Sequence, residues 1–398
     1  MEYIRKQYDT LCERIKEPRK FMQVIAGPRQ VGKSTLIGQV LKNTELAYTM
    51  EVADGIDAGD TDWIRRVWDS ARTTMLLRKE KEYLLVIDEI QKIDNWSEVV
   101  KREWDEDSRK GVNLKVVLLG SSRLLLKKGL TESLAGRYEL IRLGHWSYKE
   151  MQDAFGFTLD EYVYFGGYPG PAHLIRNEKR WKKYVKDSLV APAIEKDVIM
   201  TSNIYKPALM KQLFELGCGY SAEILSLTKL IGQLQNAGNV TTLAGYLEIL
   251  NQCSLLAALR KYARDDARKY NSIPKYQVYN NALMTVYKGR TFEKDRTDPK
   301  AWGRWVESAV GAYLLNMAED LEYQVYYWRE GDDEVDYIVV TGGECIAIEV
   351  KSGRRGMNSG LPKFMKLFQP ERSFVVGTSG VALEDFLKSD LENLINWV

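Results

Sequence analysis

A chain of 398 residues with 57 basic and 55 acidic side chains has a formal charge of only +2, so it is no general magnet for polyanions, and any nucleic-acid surface must be local. That length exceeds one ordinary core and predicts two to four domains. Two histidines, His145 and His173, exclude by inventory a Ser-His-Asp triad or a His-rich metal centre, and Cys12, Cys218, Cys253 and Cys345 lack pair or metal spacing.

Residues 1 to about 20 are charged and helical in character, ending near Pro18, and Met1 to Gln7 lack the apolar core of a signal peptide. No later segment approaches a charge-free membrane span. The expected setting is a reducing cytoplasm, with no membrane partner and with the cysteines packed inside.

Next comes Phe21-Met22-Gln23-Val24-Ile25-Ala26, an apolar strand, then Gly27-Pro28-Arg29-Gln30-Val31-Gly32-Lys33-Ser34 and a helix opening at Thr35. The middle segment satisfies G-x-x-x-x-G-K-[ST] in full, in the required order of strand, loop and helix. Gly27 and Gly32 let the backbone curl so that amides point at a phosphate, Lys33 brings a mobile charge, and Ser34 offers Mg²⁺ a hydroxyl. The segment Asp60 to Trp68 places Ile64, Val67 and Trp68 at helical spacing, a core stripe.

A second strand, Tyr83-Leu84-Leu85-Val86-Ile87-Asp88-Glu89, ends in two acids. In a parallel sheet the ligand crevice lies at the carboxyl ends of the strands, so Asp88 can hold Mg²⁺ and Glu89 can polarise an attacking water. A third strand, Lys115 to Leu119, runs into Gly120-Ser121-Ser122, which makes Ser121 or Ser122 a candidate γ-phosphate sensor. Arg137 follows, either as a phosphate-reaching arginine, within the molecule or from a neighbour, or as a surface salt-bridge residue. Alternating strands and helices to about 145 give an α/β class with a parallel sheet.

From about 147 to 200 the chain is helical, interrupted by the turn Gly166-Gly167-Tyr168-Pro169-Gly170. His145 reads as structural. Residues about 205 to 280 carry leucine-rich helices, with Thr241 or Thr242 as an N-cap, then a hairpin from Ser254–Arg260 and Lys275–Tyr279, a pattern that suggests a winged helix. Arg260, Lys261, Arg264, Arg268 and Lys269 line its loop, so DNA is a candidate partner, although Asp265 and Asp266 interrupt the charge.

Near the C-terminus, Glu334-Val335-Asp336-Tyr337-Ile338-Val339-Val340 and Cys345-Ile346-Ala347-Ile348-Glu349-Val350-Lys351 flank Thr341-Gly342-Gly343-Glu344. A two-residue turn on Gly342 and Gly343 puts Asp336 opposite Glu349, with Lys351 on the same face. Two carboxylates and a lysine suit a Mg²⁺-dependent phosphodiester site: Asp336 and Glu349 as ligands, Lys351 steadying charge, Glu307 completing the set. The bland reading is a solvated hairpin with an acid-lysine pair.

These stretches, together with Val86-Ile87-Asp88-Glu89-Ile90-Gln91, Gly120-Ser121-Ser122, Leu134-Ala135-Gly136-Arg137 and Gly166-Gly167-Tyr168-Pro169, resemble bacterial and archaeal AAA-type ATPases that carry a C-terminal domain of unknown function with a restriction-endonuclease-like core. The resemblance spans nearly the whole chain. It implies a P-loop AAA-type ATPase core at 1–145, a helical linker or lid at 146–204, a winged-helix-like domain at 205–290 and a nuclease-like α/β domain at 291–398. Against the PD-(D/E)xK pattern of that domain, Val335 stands where a proline is usual.

The function expected is an ATP-binding, ATP-hydrolysing protein with Mg²⁺ that acts on, or is regulated by, nucleic acid. The alternative is an ATP-dependent switch whose winged-helix and nuclease-like domains are inactive binding or scaffolding modules. A homo-oligomer or a partner protein is compatible with both.

Overall fold

Five short runs become the strands of one parallel sheet: β1 (Met22–Ala26), β2 (Tyr48–Val52), β3 (Tyr83–Asp88), β4 (Leu114–Gly120) and β5 (Tyr138–Arg142), ordered β2-β3-β4-β1-β5. Every residue of β1, β3 and β4 is buried, which is why these strands read as continuous apolar runs. The edge strands β2 and β5 are not among the expected ones. Half-exposed and carrying Glu51, Glu139 and Arg142, they lack that signal. Helices α1 (Gln7–Lys16), α2 (Lys33–Asn43), α3 (Asp62–Arg78) and α4 (Trp96–Lys110) intervene, and Ile64, Val67 and Trp68 of α3 join Leu85, Ile87 and Leu118 in one core cluster.

This computed structural model describes residues 3–120, 130, 133–199, 204–234, 239–265, 272–318, 320–353 and 360–392, in two units, Met1–Gly144 and His145–Val398. The sheet above belongs to the first. No helix of the described residues is long and apolar enough to cross a membrane. All four cysteines are free thiols, three of them buried.

In the second unit, helices Tyr148–Phe155 and Leu159–Phe165 each open on a capping box, Ser147 with Glu150 and Thr158 with Glu161. Helix Pro207–Gly219, β6 (Glu223–Ile224), helices Leu227–Ile231 and Val240–Gln252, β7 (Leu256–Leu259) and β8 (Lys275–Val278) follow, the strands forming an antiparallel sheet ordered β6-β8-β7. The N-cap of Val240–Gln252 is Asn239, whose carboxamide accepts from the Thr242 amide at 2.8 Å. That corrects the expected Thr241 or Thr242, because Thr242 is already N3. His145 is buried, its Nε2 3.1 Å from the Ser254 carbonyl, as a structural residue should be.

Helix Pro299–Ala318 then leads into β9 (Gln324–Glu330), β10 (Asp333–Thr341) and β11 (Glu344–Lys351), joined by antiparallel pairing, and helix Gly360–Phe368 leads into β12 (Arg372–Gly377), parallel to β11. Gly342 at φ +57° and Gly343 at φ +91° make the two-residue turn that the sequence requires. Pairing runs from Thr341 with Glu344 to Tyr337 with Ile348, the expected register.

Candidate functional site

The first cluster forms where β1, β3 and β4 end. A Cβ at Gly27 would lie 2.1 Å from the Leu143 carbonyl oxygen, so only glycine lets the loop leave β1 there. Gln30 (φ +62°) and Gly32 (φ +93°) then curl the chain into α2. Arg5, buried, donates to the carbonyls of Val31 at 3.3 Å and Gly144 at 3.1 Å, which pins the loop from outside. The Lys33 ammonium donates to the Gly27 and Pro28 carbonyls at 3.0 and 2.7 Å, so the loop wraps its own cation.

Across the crevice, Ser34 Oγ donates to Asp88 Oδ2 at 2.7 Å, while Asp88 Oδ1 accepts from the Glu89 amide at 2.8 Å. Glu89 sits at φ +56°, and its carboxylate accepts from Gln91 Nε2 at 2.9 Å. Ser34 and Thr35 are exposed at the mouth of α2, beside the half-buried Arg29 and exposed Gln30. A hydroxyl and a carboxylate in hydrogen-bond contact are hard oxygen donors of the kind that fits Mg²⁺ beside a phosphate. Ser121 and Ser122, the expected sensor candidates, lie outside the described residues.

Arg137 does not join this cluster. Its carbonyl accepts from the Met22 amide at 2.8 Å, which places it beside the first residue of β1, five residues before the loop. At about 3.3 Å per residue the loop of the same chain is roughly 16 Å away. The guanidinium grips Asp105 through Nε at 2.8 Å and Nη2 at 3.0 Å. A role on a phosphate of its own chain is thereby corrected: parallel pairing sends the start of β5 to the rim opposite the loop.

The second cluster lies in the C-terminal part of the second unit, in a cleft of about 670 Å³. Asp336 Oδ2 accepts from the Val350 amide at 2.7 Å, and Lys351 Nζ donates to Glu349 Oε1 at 2.6 Å. Thus the hairpin brings Asp336, Glu349 and Lys351 together as expected. Glu349 is 3% exposed, and its buried Oε2 has no hydrogen-bond partner among the described residues. Burial first, and then the Asp336 charge, push its pKa up to about 7.

Oxygen atoms of Glu307, Glu334 and Asp336 all lie within 4.8 Å of one another. Lys275 Nζ, at the start of β8, sits 2.6 Å from Glu307, 3.3 Å from Glu334 and 3.7 Å from Asp336. Burial works against its charge, but Glu307 and Asp336 outweigh it and hold the ammonium well above its usual pKa. Glu307 is raised, by burial first and then by Asp336, against the pull of Lys275.

Sequence reasoning missed Lys275 and Glu334 as site residues. The alternation Glu334-x-Asp336 carried one signal, since residues two apart share a strand face. A lysine heading the fully buried strand Lys275–Val278 carried another, because a buried charge needs partners.

Residues 19–152 match a family described as an AAA domain. Residues 156–294 and 302–388 match two domains of unknown function, DUF8612 and DUF4143, descriptions that speak for neither a winged helix nor a nuclease. An uncharacterized protein of Haemophilus influenzae is 22% identical over 358 residues, 83% of this chain and 82% of its own. Another, of Methanocaldococcus jannaschii, is 24% identical over 274 residues, covering 64% and 58%.

Among solved structures, the Walker-type ATPase paby2304 of Pyrococcus abyssi aligns with a TM-score of 0.45 and 13% identity over 71% of this chain and 94% of that one. The AAA-domain match over residues 19–152, with the P-loop between β1 and α2 of the parallel sheet, supports an ATP-binding P-loop domain of the AAA type there.

Proposed function

We propose that this protein hydrolyses ATP at the first cluster and uses the bound or released state of the nucleotide as a switch. Lys33 would hold the β- and γ-phosphates after leaving the loop carbonyls, Ser34 and Asp88 would hold Mg²⁺, and Glu89 would orient and polarise the attacking water. Bound Mg²⁺ would neutralise charge on the phosphate oxygens. The observation that carries this reading is the 2.7 Å contact of Ser34 with Asp88, one residue from Glu89, at the carboxyl rim of a parallel sheet. ATP affinity and turnover of the wild type, Lys33→Ala and Glu89→Gln test it. Lys33→Ala should lose binding, whereas Glu89→Gln should bind and not turn over. Turnover preserved in both variants rejects it.

A second reading concerns the second unit, for which we propose the divisions 146–204, 205–290 and 291–398. In 205–290 the order helix, strand, two helices, two strands supports a winged-helix module. Its helix Val240–Gln252 carries no lysine or arginine and one acid, Glu248. Arg264 of its loop donates to the Leu367 carbonyl at 3.1 Å and lies over Phe368. Both observations favour a module that packs against protein over one that grips a duplex.

The convergence of Asp336, Glu349 and Lys351 in the cleft supports a nuclease-like domain, and so does the buried Glu349 Oε2, which has no hydrogen-bond partner among the described residues. A cleavage assay on DNA and RNA with Mg²⁺ or Mn²⁺, comparing wild type with Lys351→Ala, decides whether it cuts. No difference on any substrate leaves the switch with binding or scaffolding modules. A homo-oligomer or partner protein and a cytoplasmic setting belong to this proposal as well.

A further inference from the structure

A nuclease-like site calls for a divalent cation among its carboxylates, and the Glu307, Glu334 and Asp336 cradle does not fit one as it stands. We infer that Lys275 is the resident cation of this cradle: its ammonium takes the seat that Mg²⁺ would need, and fastens the three-stranded sheet to helix Pro299–Ala318 and β10.

Lys275 is fully buried. An ammonium has three hydrogens to place, and here three oxygens receive them: Glu307 Oε1 at 2.6 Å, Glu334 Oε1 at 3.3 Å and the Asp336 carbonyl at 3.2 Å. The face of Tyr337 lies 4.9 Å from the same nitrogen. The Tyr337 hydroxyl is in turn fixed by Gln277 Oε1 at 2.8 Å, a residue of the same strand β8 as Lys275, and by the Glu307 carbonyl at 2.9 Å. Lys275 Nζ sits 2.6 Å from Glu307 Oε1 and 3.7 Å from Asp336 Oδ1, so a divalent ion placed among these oxygens on the Lys275 side, at about 2.1 Å from each, would crowd the ammonium. Two cations cannot share that space, and a fully buried Lys275 could make room only by giving up its contacts with Glu307, Glu334 and the Asp336 carbonyl.

The inference does not depend on whether the cleft cuts. A failed cleavage assay leaves it standing, and a successful one leaves its own test to be passed, because Glu334 has no part in the proposed cutting trio.

The test uses the nucleotide-free full chain with Mn²⁺ as probe, followed by electron paramagnetic resonance and thermal melting. Wild type should bind no Mn²⁺ whose occupancy depends on Glu334. Lys275→Met leaves three carboxylates facing each other, so its melting temperature should fall, by on the order of 10 °C. Saturating Mn²⁺ should restore at least half of that loss in Lys275→Met and none of it in Lys275→Met/Glu307→Gln.

Three results overturn the inference: Mn²⁺ bound by wild type and lost in Glu334→Gln, a Lys275→Met protein that melts like wild type, or one that is destabilised without rescue by Mn²⁺. Should Lys275→Met fail to fold, the comparison of wild type with Glu334→Gln decides alone.

Discussion

Ser34 Oγ and Asp88 Oδ2 meet at 2.7 Å, joining the first turn of α2 to the last residue of β3, two strands away from β1 across β4. In the proposed Mg²⁺-bound state both oxygens would serve as ligands for the cation. Ser34→Ala should therefore lower ATP turnover by about a hundredfold, the equivalent of ~3 kcal/mol in the transition state, with little change in the melting temperature. Steady-state phosphate release beside a thermal melt checks this, and turnover within threefold of wild type would contradict it.

Gly27 carries a separate prediction. An alanine Cβ 2.1 Å from the Leu143 oxygen cannot be accommodated without moving backbone, which typically costs about 1–3 kcal/mol. Gly27→Ala should melt several degrees lower and bind ATP more weakly, because the displaced backbone is the cradle itself. Calorimetric titration with ATP and a melt are sufficient. Wild-type values in both would show that Leu143 and the loop do not approach so closely.

Legibility followed the range of the interactions involved. The phosphate loop, the acids after β3 and the Asp336–Glu349 register were readable because turn chemistry and strand period act over a few residues, as the +57° and +91° φ values of Gly342 and Gly343 bear out. The two readings of Arg137 could not be separated because its position depends on β5 lying parallel to β1, with Tyr138 beside Met22, a pairing across more than a hundred residues; the salt-bridge reading matches its contact with Asp105. Lys275 escaped for the same reason: the acids that hold it lie well over twenty residues further on. Asn239 displaced the expected threonine caps by starting the helix two or three residues earlier.

Arg5 is a positioning residue for the loop. Hydrogen bonds from a charged donor contribute about 1.5–3 kcal/mol, and Arg5 directs one to Val31 within the cradle and another to Gly144. Arg5→Met should weaken ATP binding by roughly tenfold or more while Lys33→Ala weakens it further. The two losses should not add fully, since both disturb one loop. A double-mutant cycle on ATP affinity measures the coupling, and strict additivity would assign Arg5 a purely structural part.

Acid should loosen the first unit. Lys115 holds the Glu82 carboxyl below its usual range, chiefly by a hydrogen bond, and Arg137 does the same for Asp105. Carboxyls that ionise more readily when folded stabilise fully above their unfolded pKa, about 4, and cease to do so as pH falls through the folded values. Arg137→Gln should thus be less stable than wild type at pH 7, with the difference closing towards pH 3. Melting temperatures across that range test it, and a difference independent of pH would mean that packing rather than charge supports the pair.

Because β1 finds its hydrogen-bonding neighbours only in β4 and β5, and Gly27 is walled by Leu143, the nucleotide cradle is the last part of its unit to close on a growing chain. While the ribosome works through the first hundred residues, β1 is an apolar ribbon with both edges open, and such ribbons are where nascent chains stick to one another. Competence to take up ATP then coincides with completion of the sheet, so the nucleotide can report that its own fold is finished but cannot help to start it.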